Sequence, residues 1–333
     1  MLMKPLLPLA LLAGLSAPAF AQPAPTGQNG TPDQVGPDQP GPDQAGTVVT
    51  ARPVSTTARP PYGPTEEEME LLALAAQFSQ SVFAKDFSMT VGLGAGFVPS
   101  YEGSDQYVFF PAPVIQGNYK GYAFSARGPG LFVDLIKDPV FPKVEYIAGP
   151  IVRARFDRNG RIRDAVVRRL GKRDIAVEVG ASGGVKINRI FERFDSLTFQ
   201  TDAVFDVIGA HSGAVITPQI SYNKLLGTKG VINLSVSGDI VDGDFADYYF
   251  SVDAAGSAAS GLPQFRADGG LKSLGASALL GYDLSGNALD GGWGVFALGS
   301  YSRLQGDFAD SPIVSIRGDA NQFFGGLGVT YTF

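Results

Sequence analysis

From Phe87 to Phe333 the hydrophobic pattern repeats every two residues. Phe87, Met89, Val91, Leu93, Ala95 and Phe97 alternate with Ser88, Thr90, Gly92, Gly94 and Gly96. Ile175, Val177, Val179, Ala181, Gly183, Val185 and Ile187 alternate with a set that contains Glu178 and Lys186. The 144–156 and 197–207 segments repeat the pattern, with Glu145, Arg153 and Arg155 on one polar set and Asp202 and Asp206 on the other. A strand places alternate side chains on opposite faces, so each segment has one apolar face and one that carries all its charge. Composition agrees: 17% of the 333 residues are charged and 43 are glycine. Ordinary soluble domains hold about 25% charged residues. Beyond the first 20 residues no apolar run approaches the ~20 that a spanning helix needs, which excludes a helical membrane protein. No Cys is present, which excludes disulfides and Cys-based metal sites. A net charge of −6 with scattered cations argues against a nucleic-acid binder.

The N-terminus reads as an address. Lys4 precedes the apolar stretch Leu6 to Leu15, and Ala19-Phe20-Ala21 has the small-x-small form of a cleavage site. This predicts a secretory signal peptide over 1–21. Residues 22–64 hold ten of the 23 prolines and repeat Pro-Asp-Gln at 32–34, 37–39 and 42–44, which predicts a disordered linker. Within it, Thr47 to Ala51 looks like an energy-coupling box, but the chain that follows is too short for such a transporter. Over 65–86 the period changes. Thr65 and Glu68 form a capping box, and Leu71, Leu74, Ala75, Phe78 and Val82 fall on one face, which predicts an amphipathic helix.

A soluble sandwich also alternates, so three further features decide. The chain carries an export signal, its strand-like segments run to about 10–13 residues, and it ends on Phe333 after Phe323, Leu327, Val329 and Tyr331. The expectation is an all-β fold, a transmembrane antiparallel β-barrel over 87–333. Strands are predicted near 87–97, 107–116, 120–127, 131–137, 144–156, 173–187, 195–208, 213–222, 230–241, 270–283, 292–304 and 321–333. That count is twelve, and an even count returns both ends to the periplasm. It gives short periplasmic turns, at 117–119, 223–229 and 284–291, and longer outer loops near 98–106, 157–172, 242–269 and 305–320. Tyr282, Trp293 and Tyr331 lie near strand ends, where an interfacial belt would put them. Within hydrocarbon only closure satisfies every backbone polar group.

Several short motifs then stand out. Pro99-Ser100 precedes Tyr101-Glu102-Gly103-Ser104-Asp105 near the front. Asp247-Tyr248-Tyr249-Phe250, Ala258 to Pro263, Tyr301 to Asp307, Ala309-Asp310-Ser311-Pro312-Ile313-Val314 and Asn321-Gln322-Phe323 follow in the last third. Together they resemble the MltA-interacting protein (MipA/OmpV) family of outer-membrane proteins over roughly 87–333. The resemblance implies an outer-membrane barrel of a Gram-negative bacterium with a periplasmic N-terminus. It also implies a non-enzymatic scaffold joining a lytic transglycosylase to a penicillin-binding protein in murein synthesis. The alternative is a small-solute, porin-like channel. The linker and the helix lie outside the resemblance.

Candidate chemistry is sparse, and no cofactor or metal is expected. His211 is the only histidine and adjoins Ser212, but no orienting third group is marked, so it reads as a loop-tip residue. Glu145, Arg153, Arg155, Glu178, Lys186, Asp202 and Asp206 are predicted to line the lumen, with Asp202 and Asp206 solvated there or paired with Arg153, Arg155 or Lys186. As a channel, selectivity would rest on Asp202, Asp206, Arg153 and Arg155. Arg153 to Arg173 holds nine of the 26 cations. Of these, Arg158, Arg161, Arg163, Arg168, Arg169, Lys172 and Arg173 are predicted to bind lipopolysaccharide or another surface anion from an outer loop. Asp242, Asp244 and Asp247 could ligate Ca²⁺ but have no EF-hand spacing. The Gly92-x-Gly94-x-Gly96 run is strand glycine without a following helix.

Overall fold

The computed structural model describes residues 81–137 and 142–333, with Gly63, Thr65, Glu66, Met69, Leu72, Ala73 and Ala76. The expected signal peptide and linker lie outside these residues. Twelve strands form one closed ring in chain order: β1 Phe87–Pro99, β2 Tyr107–Tyr119, β3 Tyr122–Ala126, β4 Gly130–Val133, β5 Val144–Arg155, β6 Ala176–Asn188, β7 Asp195–Asp206, β8 Ala214–Leu226, β9 Gly230–Val241, β10 Gly270–Asp283, β11 Gly292–Leu304 and β12 Asn321–Thr332. Every pairing is antiparallel, and β12 closes on β1 from Thr90↔Thr332 to Phe97↔Gly325. No helix among the described residues is long and apolar enough to cross a membrane.

Alternation decides which face each strand turns outward. Leu93, Phe97, Tyr146, Phe199, Phe205 and Leu327 are exposed, while Ser88, Thr90, Glu145, Glu178, Thr198 and Asp202 are buried inside. The start of β1 and the end of β12 lie at one mouth, here the terminal mouth. There the connections range from two residues at 120–121 to ten at 134–143. The β2–β3 turn is Lys120-Gly121, both with positive φ, the signature of a two-residue type I′ hairpin. It replaces the turn expected at 117–119, because β2 continues to Tyr119. The 127–129 corner separates β3 from β4, with Gly128 at φ +58°. These two strands have five and four residues, so they form the shortest stretch of wall.

At the opposite mouth the long connections are not open loops. They carry five helices: α1 Ala165–Arg168, α2 Gly243–Phe250, α3 Ala254–Ser260, α4 Gly306–Asp310 and α5 Pro312–Ser315. Phe245, Tyr249, Phe250, Phe308, Ile313 and Val314 are buried in one cluster, together with Val167 and Tyr101. Fully burying each such side chain contributes about 1.5–3 kcal/mol. The segments expected to be outer loops therefore fold into a cap with a hydrophobic core of its own.

Glu66, Met69, Leu72, Ala73 and Ala76 are helical, and at the terminal mouth Val82–Ala84 form a 3-10 turn. Leu71, Leu74, Ala75 and Phe78 of the predicted apolar face lie outside the described residues. Val82 is buried, and its N–H donates to the Leu289 carbonyl at 3.1 Å, which holds this strap to the β10–β11 turn.

Candidate functional site

The cap is built from the motif residues. The Tyr101 hydroxyl donates to the Ile313 and Arg317 carbonyls at 3.2 and 3.1 Å. Burial pushes its pKa well above the usual phenol range, so it stays a donor. The Glu102 N–H donates to Asp157 at 2.8 Å, and the Ser311 hydroxyl donates to the Phe250 carbonyl at 2.5 Å. The Tyr248 hydroxyl accepts the Asp174 N–H at 2.9 Å, and Tyr249 gives its carbonyl to Arg158 at 3.0 Å. Gly103 has φ +94°, and a Cβ there would meet Val314 at 2.4 Å, so only glycine fits. Its N–H donates to Gln322 at 3.1 Å. The Ser104 and Ser100 hydroxyls share a hydrogen bond of 3.0 Å. Pro312 opens α5 at a position that needs no N–H. Asp105 and Asp310 stay exposed. Residues far apart in sequence thus fasten the connections after β1, β5, β9 and β11 to one another.

Directly beneath the cap lies a buried charge cluster. Glu178 receives Arg153 at 2.5 Å, Arg155 at 2.7 Å and His211 at 3.2 Å. Lys272 bridges Glu102 and Asp239, the latter at 3.1 Å. The six charges balance. Phe245 of the cap sits against this cluster, with Arg155 and Lys272 at 4.8 and 5.4 Å from its ring centre. A second group lies nearer the terminal mouth: Lys186 with Glu145 at 3.0 Å, and Arg127 with Asp202 at 3.9 Å.

Several sequence expectations change here. Asp202 meets Arg127 and the Ser182 hydroxyl, not Arg153, Arg155 or Lys186. Asp206 has no cation partner; it accepts the N–H groups of Ile208, His211 and Ser212 and shapes that turn. The four residues named for channel selectivity, Asp202, Asp206, Arg153 and Arg155, are thus engaged with other protein groups. His211 is not at a loop tip. Its side chain is fully buried, and the Gly213 N–H donates to Nδ1 at 3.0 Å, which leaves Nε2 to carry the proton toward Glu178. Ser212 turns outward, so no Ser/His pair forms. Asp242 caps α2 by accepting the Phe245 N–H at 3.0 Å, and it also accepts the Ala214 N–H at 2.7 Å. Asp244 and Asp247 are exposed on α2. Arg127, Asp239 and Lys272 escaped sequence reading. Lys272 stands where the β9–β10 register shifts, between Leu271 and Ser273, which breaks period-two parity.

The basic connection divides. Arg161, Arg163, Arg168, Arg169 and Lys172 are exposed, and Arg173 is half-buried with its guanidinium 4.7 Å from the Tyr248 ring centre. Arg158 is buried inside the cap, where desolvation and neighbouring Arg173 push its pKa down to about 10. Burial opposes ionisation of Asp164, but the Arg317 guanidinium at 2.6 Å and the Val167 and Val166 N–H groups outweigh it and hold its carboxyl below the usual range. Asp157 goes the other way, raised by burial and by Glu102.

The terminal half of the lumen stays hollow, with a cavity of about 220 Å³ between Phe83, Val231, Leu279 and Phe296.

No curated protein matches the chain. Among solved structures, an outer membrane channel from Pseudomonas putida F1 aligns with TM-score 0.40 and 11% identity, over 74% of this chain and 96% of that one. OmpT of Vibrio cholerae aligns at 0.32 and 9%, over 74% and 97%. OprD of Pseudomonas aeruginosa aligns at 0.25 and 10%, over 75% and 94%. The family model for MltA-interacting protein MipA matches residues 91–333. The chain belongs to this family and is an outer-membrane β-barrel.

Proposed function

We propose that the protein is a non-enzymatic scaffold of the outer membrane that recruits a murein-remodelling enzyme to its periplasmic end. The observation that carries this reading is the packed cap over a balanced, buried charge cluster. Phe245, Tyr249 and Lys272 are fully buried there, which argues against a water-filled path for a solute. The terminal mouth, assigned to the periplasm, instead offers rim features suited to docking. Phe191 on the β6–β7 turn is 79% exposed, and Lys120, Lys143, Arg193 and Lys229 ring the same mouth with exposed side chains. An exposed aromatic flanked by cations is a common anchor for a protein partner. By the family's name the partner is a lytic transglycosylase; a penicillin-binding protein is the second expected partner. His211, the sole histidine, is tied to Glu178 and Gly213, which suits a barrel without an active site.

Two measurements test this. In planar bilayers the protein gives no steady conductance; a steady open pore overturns the reading in favour of a small-solute channel. In envelope extracts the wild type captures a lytic transglycosylase, and F191S/R193E does not. Equal capture by the variant removes the rim from the proposal.

The five exposed cations of 161–172 carry a separate proposal, that the cap binds lipopolysaccharide phosphates, which Arg grips in bidentate fashion. Neutralising Arg161, Arg163, Arg168 and Arg169 is expected to weaken lipopolysaccharide binding at least tenfold; unchanged binding rejects it.

A further inference from the structure

The hollow half of the lumen differs in chemistry from everything around it. Its larger lobe, about 220 Å³, is walled by Val114, Val231, Leu279, Val295 and Phe296. Of the polar groups that line this lobe, Thr90 bonds Thr332 at 2.8 Å and Asn233 bonds Asn223 at 2.7 Å, while Arg189, Arg193, Lys224 and Lys229 line it as well. A smaller lobe of about 90 Å³ adjoins it, and Phe83, Thr90, Gln116, Glu145 and Asn223 line both. Here the accounting fails. Arg127 Nε, the Thr198 hydroxyl and Gln116 Oε1 are buried with no hydrogen-bond partner among the described residues. Arg127 and Thr198 are 8% and 2% exposed. Leaving such a group unpaired costs about 1–3 kcal/mol, so three lining one small lobe are a recognition pattern.

We propose that the lumen binds one small, uncharged amphiphile, with its apolar body in the large lobe and a hydroxyl or amide head in the small one. The donors and acceptors select the head. Arg127 Nε–H needs an acceptor and Gln116 Oε1 needs a donor. A hydroxyl or primary amide supplies both, a carboxylate only accepts, and an ammonium only donates. Charge agrees. The small lobe holds two cations, Arg127 and Lys186, each facing a carboxylate, and Asp134 besides. Within the small lobe no cation is left to neutralise an anionic head, and burying an unpaired charge is costly. Gln116 on β2 pairs with Ser125 of β3, and Arg127, just past the end of β3, lines the same lobe. The strap supplies the door. Phe83 lines both lobes, and its neighbour Val82 donates a backbone hydrogen bond to Leu289 in the β10–β11 turn. Entry is therefore from the terminal mouth, since the cap fills the other.

The test uses the full mature chain in lipid nanodiscs and three photo-crosslinking probes of one chain length: diazirine-tagged octanol, octanoate and octylamine. Labelled peptides are mapped by mass spectrometry. Tagged octanol is expected to label inward-facing Val231, Leu279 and Phe296, and unlabelled octanol to compete this labelling away. Octanoate and octylamine are expected to label them at least tenfold less. L279W, which fills the large lobe, is expected to abolish inward labelling and leave outward-facing Leu93 and Leu327 labelled as before. T198V/Q116L keeps the large lobe and is expected to erase the preference for octanol. Labelling confined to Leu93 and Leu327, or inward labelling unchanged in L279W, overturns the proposal. Equal inward labelling by octanoate or octylamine overturns the assignment of the head.

Discussion

The two ends of this barrel solve opposite problems. At the capped end, charge and aromatic side chains fill the bore, and the buried charges of Arg153, Arg155, Glu178, Asp239 and Lys272 pair with one another or with Glu102. At the terminal end the bore is wider than its side chains, and the apolar walls of Val231, Leu279 and Phe296 face one another across a cavity. The strands are similar in length at both ends, so the difference comes from what the connections bring. The long connections return inward with their own hydrophobic stripe, whereas the Lys120-Gly121 turn has only two residues. A barrel of this strand number is filled or hollow according to its loops, not its wall.

This contrast can be broken by substitution. E178Q should have the largest effect. It leaves Arg153 and Arg155 buried without their carboxylate, a loss of about 3–5 kcal/mol. The heat-modifiability midpoint on gels measures it. F245A should follow, at about 3–5 kcal/mol, and should speed protease cleavage within 242–269 while the strands stay protected. D164N keeps an oxygen to cap α1 but loses the charged tie to Arg317, so its effect should be smaller than that of F245A. Its pH dependence has a definite sign. The folded carboxyl sits below its ordinary value of about 3.9. Its stabilisation is thus fully present above that value and is lost as pH falls through the folded value. Hydrogen exchange in 156–175 should separate D164N from the wild type at neutral pH and converge in strong acid. The smallest effect belongs to the hollow end, where T332V should cost under about 1 kcal/mol. If T332V destabilises as much as E178Q, the two ends are not energetically distinct.

The wall was legible because a strand's two faces meet two different solvents. Each inward charge, from Glu145 to Asp206, had to fall in phase with its neighbours, so parity alone gave twelve strands near their observed bounds. The cap was not legible in the same way. Its acidic residues, Asp242, Asp244 and Asp247, suggested a solvated loop. Yet Asp242 is an N-cap, and Phe245 and Tyr249 stand four apart on one helical face. That spacing was present in the sequence and went unused. Its partners, Tyr101, Phe308 and Ile313, come from connections more than fifty residues away, which no local pattern links. Lys272 was hidden for a different reason, since a register shift reverses the parity on which the rest depends.

The joint between β1 and β12 carries one more consequence. Gly94 faces Gly328 and Gly96 faces Gly326, and a Cβ on Gly94 or Gly328 would strike the Phe296 ring at 2.8 or 2.4 Å. The joint is therefore a narrow track of bare backbone under one aromatic plate. It joins residues 242 positions apart at Thr90 and Thr332. Contacts that distant form after local hairpins, because the intervening chain must be ordered first. Time thus enters the architecture: the wall grows hairpin by hairpin as an open ribbon, and the glycine track is the zip that shuts it.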